Sequence, residues 1–227
     1  MHERHIVIVA GGHGSRMGSD LPKQFLEIGS YPILMRTVEA FWNFDKLLKI
    51  TLVLPEEYTE FWKKLCVKFN FNIEHRIVCG GKERFFSVKN ALAEIPDEST
   101  VGIHDAVRPF VSRKTLEDLF CAAEKYGAAV PVMPATESIR KVFPDGDSES
   151  LDRKEIFTVQ TPQCFGARIL KTAYDTAYSP LFTDDASVVE TVLHKKPHLT
   201  EGNRENIKIT TPYDMKLAEW ILSKEKE

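Results

Sequence analysis

The chain predicts an α/β fold: a mostly parallel sheet flanked by helices, with a projecting β-hairpin arm. Three observations carry that prediction. Between residues 6 and 132 the hydrophobic period switches repeatedly from 2 to 3.6, as in successive βαβ units. The first apolar run, Ile6-Val7-Ile8-Val9, is short and wholly apolar, as a strand buried on both faces would be. Directly after it, four of the 12 glycines fall at Gly11, Gly12, Gly14 and Gly18.

Each element follows from its pattern. Pro32 opens a helical stretch with apolar residues at Leu34, Val38, Phe41 and Trp42, and Ile50 to Leu54 reads as the second strand. Tyr58, Phe61, Trp62, Leu65 and Phe69 form the next helical stripe. Ile73 to Val78 is a third strand ending at Gly80-Gly81, and Phe85, Val88, Leu92 and Ile95 make another helix face. Thr100 to His104 is strand four, Leu116 to Ala123 a helix, and Ala128 to Val132 strand five. From about 134 to 158 the helical period stops. Ser138 to Phe143 and Leu151 to Val159 flank Pro144-Asp145-Gly146-Asp147, a strong turn signal, so this stretch reads as an extended hairpin arm. Helices follow at Arg168 to Ala177 and at Asp184 to Leu193, the latter behind a Thr183 cap. Asn206 to Ile209 reads as a late strand, and Thr211-Pro212 opens a terminal helix with proline in its first turn.

Composition limits the function classes. The 227 residues fit a single domain, 1–227, and a chain of this size buries roughly 70–75% of its unfolded surface without needing a staple. Apolar residues make up 43% and charged residues 28%, which excludes wholesale disorder. Thirty basic residues against 33 acidic give a net charge of −3, no footprint for nucleic acid. Apolar runs are too short to span a membrane, and the start lacks a signal-peptide core. Cys66, Cys79, Cys121 and Cys164 show no metal or redox spacing, which reads as reduced structural thiols in the cytoplasm.

The glycine cluster is the first chemical signal. Glycine permits close backbone approach to a ligand. A loop between a parallel strand and a helix turns backbone N–H groups toward an anion. From Gly12 the spacing is G-x-G-x-x-x-G, which fits neither the dinucleotide fingerprint nor the P-loop pattern. Arg16 lies inside the loop and Lys23 follows in Leu21-Pro22-Lys23-Gln24-Phe25; neither belongs to an apolar periodic stretch, and both can converge on phosphates. Asp105 ends strand four, the edge at which open α/β sheets bind ligands, and a hard carboxylate there suits Mg²⁺. Its bland alternative is an ion pair with Arg108. His104 reads as a structural histidine, and Arg108 either reaches a second phosphate or braces the loop.

Ala10-Gly11-Gly12-His13-Gly14-Ser15-Arg16-Met17-Gly18 with Pro22-Lys23-Gln24 resembles the signature of the cytidylyltransferases acting on 2-C-methyl-D-erythritol 4-phosphate. The resemblance continues through Gly80-Gly81-Lys82-Glu83-Arg84, His104-Asp105-Ala106-Val107-Arg108-Pro109, Asp152-Arg153, Thr161-Pro162-Gln163, Thr183-Asp184-Asp185-Ala186-Ser187 and Asn206-Ile207-Lys208-Ile209-Thr210. It implies a nucleotide-binding, Rossmann-like sheet whose β-arm makes a homodimer, and CMP transfer from CTP in the non-mevalonate isoprenoid pathway with Mg²⁺. Arg16 and Lys23 are then the catalytic cations. Ala10, Gly11, Gly12, Gly14, Gly81, Lys82, Ser87, Asp105 and Ala106 bind the nucleotide. Many members carry an acidic residue where this chain has Lys82, which leaves that position a backbone role. Ser138, Arg153, Lys208 and Arg108 fall on acceptor positions, with Thr161, Thr183 and Asp184 weaker candidates and Asp105 next to the metal. Three alternatives stay open: a ribitol 5-phosphate cytidylyltransferase, a sugar nucleotidyltransferase using another base, and a non-catalytic nucleotide-binding module.

Overall fold

The computed structural model describes residues 3–11 and 21–224, so Gly12, Gly14, Arg16 and Gly18 of the glycine loop lie outside the described residues. The chain opens with β1 (Arg4–Val9), a short two-stranded ribbon of β2 (Glu27–Ile28) and β3 (Tyr31–Pro32), then α1 (Ile33–Phe44). Strands and helices next alternate as β4 (Lys49–Leu54), α2 (Thr59–Lys68), β5 (Arg76–Cys79), α3 (Arg84–Leu92), β6 (Thr100–Asp105), α4 (Arg113–Tyr126) and β7 (Ala128–Pro134). The arm contributes β8 (Ile139–Val142) and β9 (Ser148–Leu151). The chain then runs through β10 (Phe157–Val159), β11 (Gln163–Gly166), α5 (Ala167–Tyr174), α6 (Asp185–Leu193), β12 (His198–Glu201) and α7 (Pro212–Lys224).

Among the described residues the main sheet runs β10-β7-β11-β6-β1-β4-β5, with β12 added on β7. The pairs β1–β4, β1–β6, β4–β5 and β7–β12 are parallel, whereas β11 lies antiparallel between β6 and β7, and β10 antiparallel on β7. The expected mostly parallel sheet is therefore present, in mixed form. Strand alternation sends Ile6 and Ile8 to a core shared with Phe41 of α1, Trp62 of α2 and Phe120 of α4. Val7 points the other way, into a core with Phe85 of α3, Leu170 of α5 and Val189 of α6. Both faces of the central strands are thus covered, which is why β1 carries no polar residue between Ile6 and Val9. A smaller cluster packs Ala218 and Ile221 of α7 against Ile28, Val107 and Ile209. No helix among the described residues is long and apolar enough to cross a membrane.

Three sequence expectations are corrected. The second limb of the arm, expected over Leu151 to Val159, is divided. β9 pairs with β8 in a hairpin, a 3-10 turn covers Arg153–Glu155, and β10 rejoins the main sheet. Thr183 does not cap α6. Asp184 does, its carboxylate accepting from the Ser187 N–H at 2.8 Å while the Ser187 hydroxyl answers the Asp184 N–H. Asn206 to Ile209 joins no sheet, and the late strand is β12. One N–H of that segment, from Ile209, donates to the Val107 carbonyl at 3.0 Å, which ties it to the loop after β6.

Candidate active site

At the carboxyl edge of the sheet, the Ala10 N–H donates to Val53 O, the Gly80 N–H to Leu54 O and the Ala106 N–H to Val9 O, so the ends of β1, β4 and β6 lie side by side. Beyond them opens a cleft of about 330 Å³. It gathers nine residues singled out from the sequence: Ala10, Gly11, Lys23, Gly81, Lys82, Ser87, Asp105, Ala106 and Lys208.

Local chemistry explains their placement. Pro22 fixes its own backbone and starts a 3-10 turn, closed by the Phe25 N–H donating to Pro22 O at 2.9 Å. Phe25 is buried against the rings of Phe61 and Tyr58, and the buried Gln24 amide donates to the Ala10 carbonyl at 2.7 Å. Lys23 is left facing the cleft between those two anchors. On the opposite wall the Gly81 N–H donates to the Ser87 hydroxyl at 3.0 Å, and that hydroxyl donates back to the Glu83 carbonyl at 3.2 Å. A Cβ at Gly81 would run into the Cβ and backbone of Phe86, so this turn tolerates only glycine. The Ala106 N–H and C=O are both engaged, the carbonyl accepting from Thr37 Oγ1 at 2.8 Å, so Ala106 is held as part of the cleft wall.

Asp105 is the electrostatic centre. Its Oδ2 accepts from Arg108 Nε at 3.1 Å and pairs with Lys208 Nζ at the same distance. Burial pushes this carboxyl up, but Lys208, Arg84 and Arg108 together outweigh burial and hold it well below the usual carboxylate range. Asp105 is therefore ionised throughout the working pH range. Among the described residues no cluster of three His, Cys, Asp or Glu side chains forms a metal cage. An ionised carboxylate in this cleft fits Mg²⁺ nonetheless, since that ion takes one or two carboxylates with the remainder from substrate phosphates and water. Arg108 braces the loop: its side chain is 12% exposed, and Nη1 donates to Asn206 O at 2.8 Å.

The other acceptor candidates do not line the cleft. Ser138, Arg153 and Thr183 are exposed, and Arg153 Nη1 donates to the Thr136 carbonyl of the arm at 2.8 Å. Thr161 lies beneath the cleft, 6% exposed, with its hydroxyl accepting from the Asp105 N–H at 3.0 Å and meeting His104 Nδ1 at 3.1 Å. His104 is wholly buried, as a structural histidine should be, with the Phe41 ring set T-shaped against it and burial pushing its pKa from 6.5 down to about 4.

One cleft residue escaped the sequence reading. Arg84, first residue of α3, lines the cleft and forms a two-pronged ion pair with Asp185, at 2.9 Å and 2.7 Å. Asp185 is wholly buried and also accepts from the Tyr174 hydroxyl at 2.7 Å. The pair joins the turn before α3 to the start of α6, across 101 residues of sequence. Arg84 stands in a recognised motif, but no spacing in the sequence pairs it with Asp185.

Cations beside exposed backbone at the strand ends suit a polyphosphate. Fold and cleft together define a nucleotidyltransferase. The family profile IspD, 2-C-methyl-D-erythritol 4-phosphate cytidylyltransferase, matches residues 4–224, and the chain belongs to that family. It is 50% identical over 220 residues, covering 97% of this chain and all of the relative, to the 2-C-methyl-D-erythritol 4-phosphate cytidylyltransferase of Bacteroides thetaiotaomicron. Identity to the protein of the same name from Bacteroides fragilis is 52%, over 96% of this chain and 99% of that one. The crystal structure of the Francisella tularensis 2-C-methyl-D-erythritol 4-phosphate cytidylyltransferase superposes with a TM-score of 0.78 at 31% identity, over 96% of this chain and 99% of that one.

Proposed function

We propose that the chain transfers CMP from CTP to 2-C-methyl-D-erythritol 4-phosphate, releasing pyrophosphate and forming 4-diphosphocytidyl-2-C-methyl-D-erythritol. A phosphate oxygen of the acceptor attacks the α-phosphorus of CTP, and the bond from that phosphorus to the pyrophosphate breaks. A phosphate monoester has a second pKa near ~6, so the nucleophile is already ionised at pH 7 and no general base is required. Catalysis then rests on alignment and on neutralising the oxygens that gain charge. Lys23, with Arg16 from the glycine loop, neutralises the triphosphate. Gly11, Gly81 and Ser87 form the slot for cytosine, with the backbone of Lys82 at its rim. Lys208 binds the acceptor phosphate. Asp105 would hold Mg²⁺, which when bound offsets the negative charge of the phosphates. Ser138, Arg153 and Thr183 complete the acceptor site from outside the cleft, Arg153 and Ser138 from the arm of a second copy in a homodimer. The four unpaired thiols support a cytoplasmic, reducing setting.

The observation that carries this reading is the gathering of Lys23, Arg84, Lys208 and the Asp105 carboxylate in one cleft beside the Gly81–Ser87 turn. Pyrophosphate release tests it, measured with CTP or UTP and with either methylerythritol phosphate or ribitol 5-phosphate. Release with CTP and methylerythritol phosphate is expected. Release with ribitol 5-phosphate alone, or with neither acceptor, overturns the assignment.

A further inference from the structure

Beneath the cleft, three distant segments close into a ring of hydrogen bonds. The Asp105 N–H donates to Thr161 Oγ1 at 3.0 Å. Arg108 Nε donates to Asp105 Oδ2, and Arg108 Nη1 to the Asn206 carbonyl at 2.8 Å. The Asn206 amide donates in turn to the Thr161 carbonyl at 2.8 Å, completing the circuit. His104 spans it: Nδ1 lies 3.1 Å from Thr161 Oγ1 and Nε2 lies 3.0 Å from the Arg108 carbonyl.

The direction of each bond around the ring follows from the chemistry of its partners. A backbone N–H only donates, so Thr161 Oγ1 accepts from Asp105 and has its own proton to give. A carbonyl only accepts, so His104 Nε2 carries the ring proton toward Arg108. In the neutral imidazole Nδ1 is then bare, and it takes the threonine proton. The sequence Asp105 N–H to Thr161 O–H to His104 to Arg108 C=O thus clamps both ends of the four-residue turn that ends β6. From that turn project Asp105, which lines the cleft and holds Lys208, and Arg108, which holds Asp105. His104 and Asn206 are wholly buried and Thr161 nearly so, so this arrangement acts on the cleft without touching what enters it. An apolar residue at 104 would pack against Phe41 without desolvating a polar ring, so packing alone does not account for a histidine there.

We infer that His104 is a positioning residue for the transfer reaction, acting through the Thr161 hydroxyl and the Arg108 carbonyl to aim the Asp105 carboxylate and, through it, Lys208. The inference rests on the assignment of Asp105 and Lys208 to the substrate site. It gives Thr161 a place under the site instead of a contact with the acceptor.

Four variants test it: Thr161→Val, Thr161→Ser, His104→Leu and the double variant Thr161→Val/His104→Leu. CTP affinity is measured by calorimetry without acceptor, and kcat and KM with acceptor. Misplaced groups of this kind cost about 10–100-fold, so Thr161→Val and His104→Leu should each lose that much in kcat/KM for the acceptor. CTP affinity measured without Mg²⁺, where Asp105 has no metal to hold against the triphosphate, should change less than about threefold, ~0.7 kcal/mol. Thr161→Ser, which keeps the hydroxyl, should restore activity. The double variant should be no worse than the worse single one, because both break the same path. Equal damage from serine and valine at 161, multiplicative losses in the double variant, or an unchanged kcat/KM overturns the inference. Should His104→Leu fail to fold, the Thr161 pair still decides. Lys208→Ala is run alongside: an acceptor KM unchanged in that variant refutes the assignment of Lys208 itself, separately from the role of His104.

Discussion

Replacing Asp185 by alanine exposes what the Arg84–Asp185 pair contributes. The carboxylate is fully buried and accepts three hydrogen bonds, two from Arg84 and one from Tyr174. Its removal leaves a guanidinium whose side chain is only 32% exposed, together with a phenol hydroxyl inside the core. Breaking a buried pair from one side costs about 3–5 kcal/mol. A third of Arg84 remains in water, which favours the lower end, about 3 kcal/mol. For a chain of this size each kcal/mol moves Tm by about 2–4 °C, so the transition should fall by about 6–12 °C. Differential scanning calorimetry of Asp185→Ala measures this directly. The double variant Arg84→Met/Asp185→Leu removes both charges, and apolar replacements of a buried pair are close to neutral, so most of the loss should return. Its affinity for CTP should stay low, because Arg84 lines the cleft and anchors the first turn of α3. A Tm within about 2 °C of wild type for Asp185→Ala would refute the view that this pair secures the nucleotide wall.

Four further outcomes follow from the same geometry. Burial holds His104 at about 4 against an ordinary 6.5, so the unfolded chain takes up its proton first. Its contribution is whole above about pH 6.5 and is lost as pH falls toward 4, amounting to about 3 kcal/mol. Urea unfolding at pH 7 and pH 4.5 reads it, and an equal pH dependence in His104→Leu would remove the attribution. Gly81→Ala forces a Cβ into Phe86 and should raise KM for CTP at least about tenfold, ~1.4 kcal/mol; unchanged CTP kinetics would clear this turn of a role in binding. Arg16→Ala should lower kcat by about 10²–10³ with KM for the acceptor little altered, and the reverse pattern in steady-state kinetics would place Arg16 in ground-state binding. Mixing Arg16→Ala with Arg153→Ala subunits should restore about a quarter of wild-type activity if the arm serves the partner's site, and no recovery after subunit exchange rejects the shared site.

The parts of this fold that could be read from sequence are those in which one interaction dominates. The run Ile6–Val9 is buried on both sides, so its composition alone names it as a central strand. Where two interactions compete, the pattern misleads. Ile207 and Ile209 alternate with polar neighbours, as a strand would, but the alternation reflects one face packed on α7 and no ladder beside it. β12 does sit in the sheet, and its sequence His198-Leu199-Thr200-Glu201 has little apolar signal because it lies on an outer position beside β7. The cap of α6 was legible in principle. Thr183 and Asp184 are both good caps, but only Asp184 has Ser187 three residues on to complete the reciprocal pair.

The site divides along the same line. Lys23, Gly81 and Asp105 are visible because the chain must leave regular structure at the strand ends to expose groups to a ligand, and glycine and proline mark those exits, whereas Lys208 carries no such mark and is reached only through the family resemblance. Gln24, Asp185 and Asn206 do equally specific work, holding Ala10, Arg84 and the Arg108–Thr161 circuit, but they are buried within the chain's own packing. A buried polar residue carries no mark in sequence that tells its partner, because the partner is set by how distant segments meet. The structure supplies those pairings, and they bear on function as directly as the cations do: a lysine can neutralise a phosphate only where the residues behind it hold its carboxylate partner still.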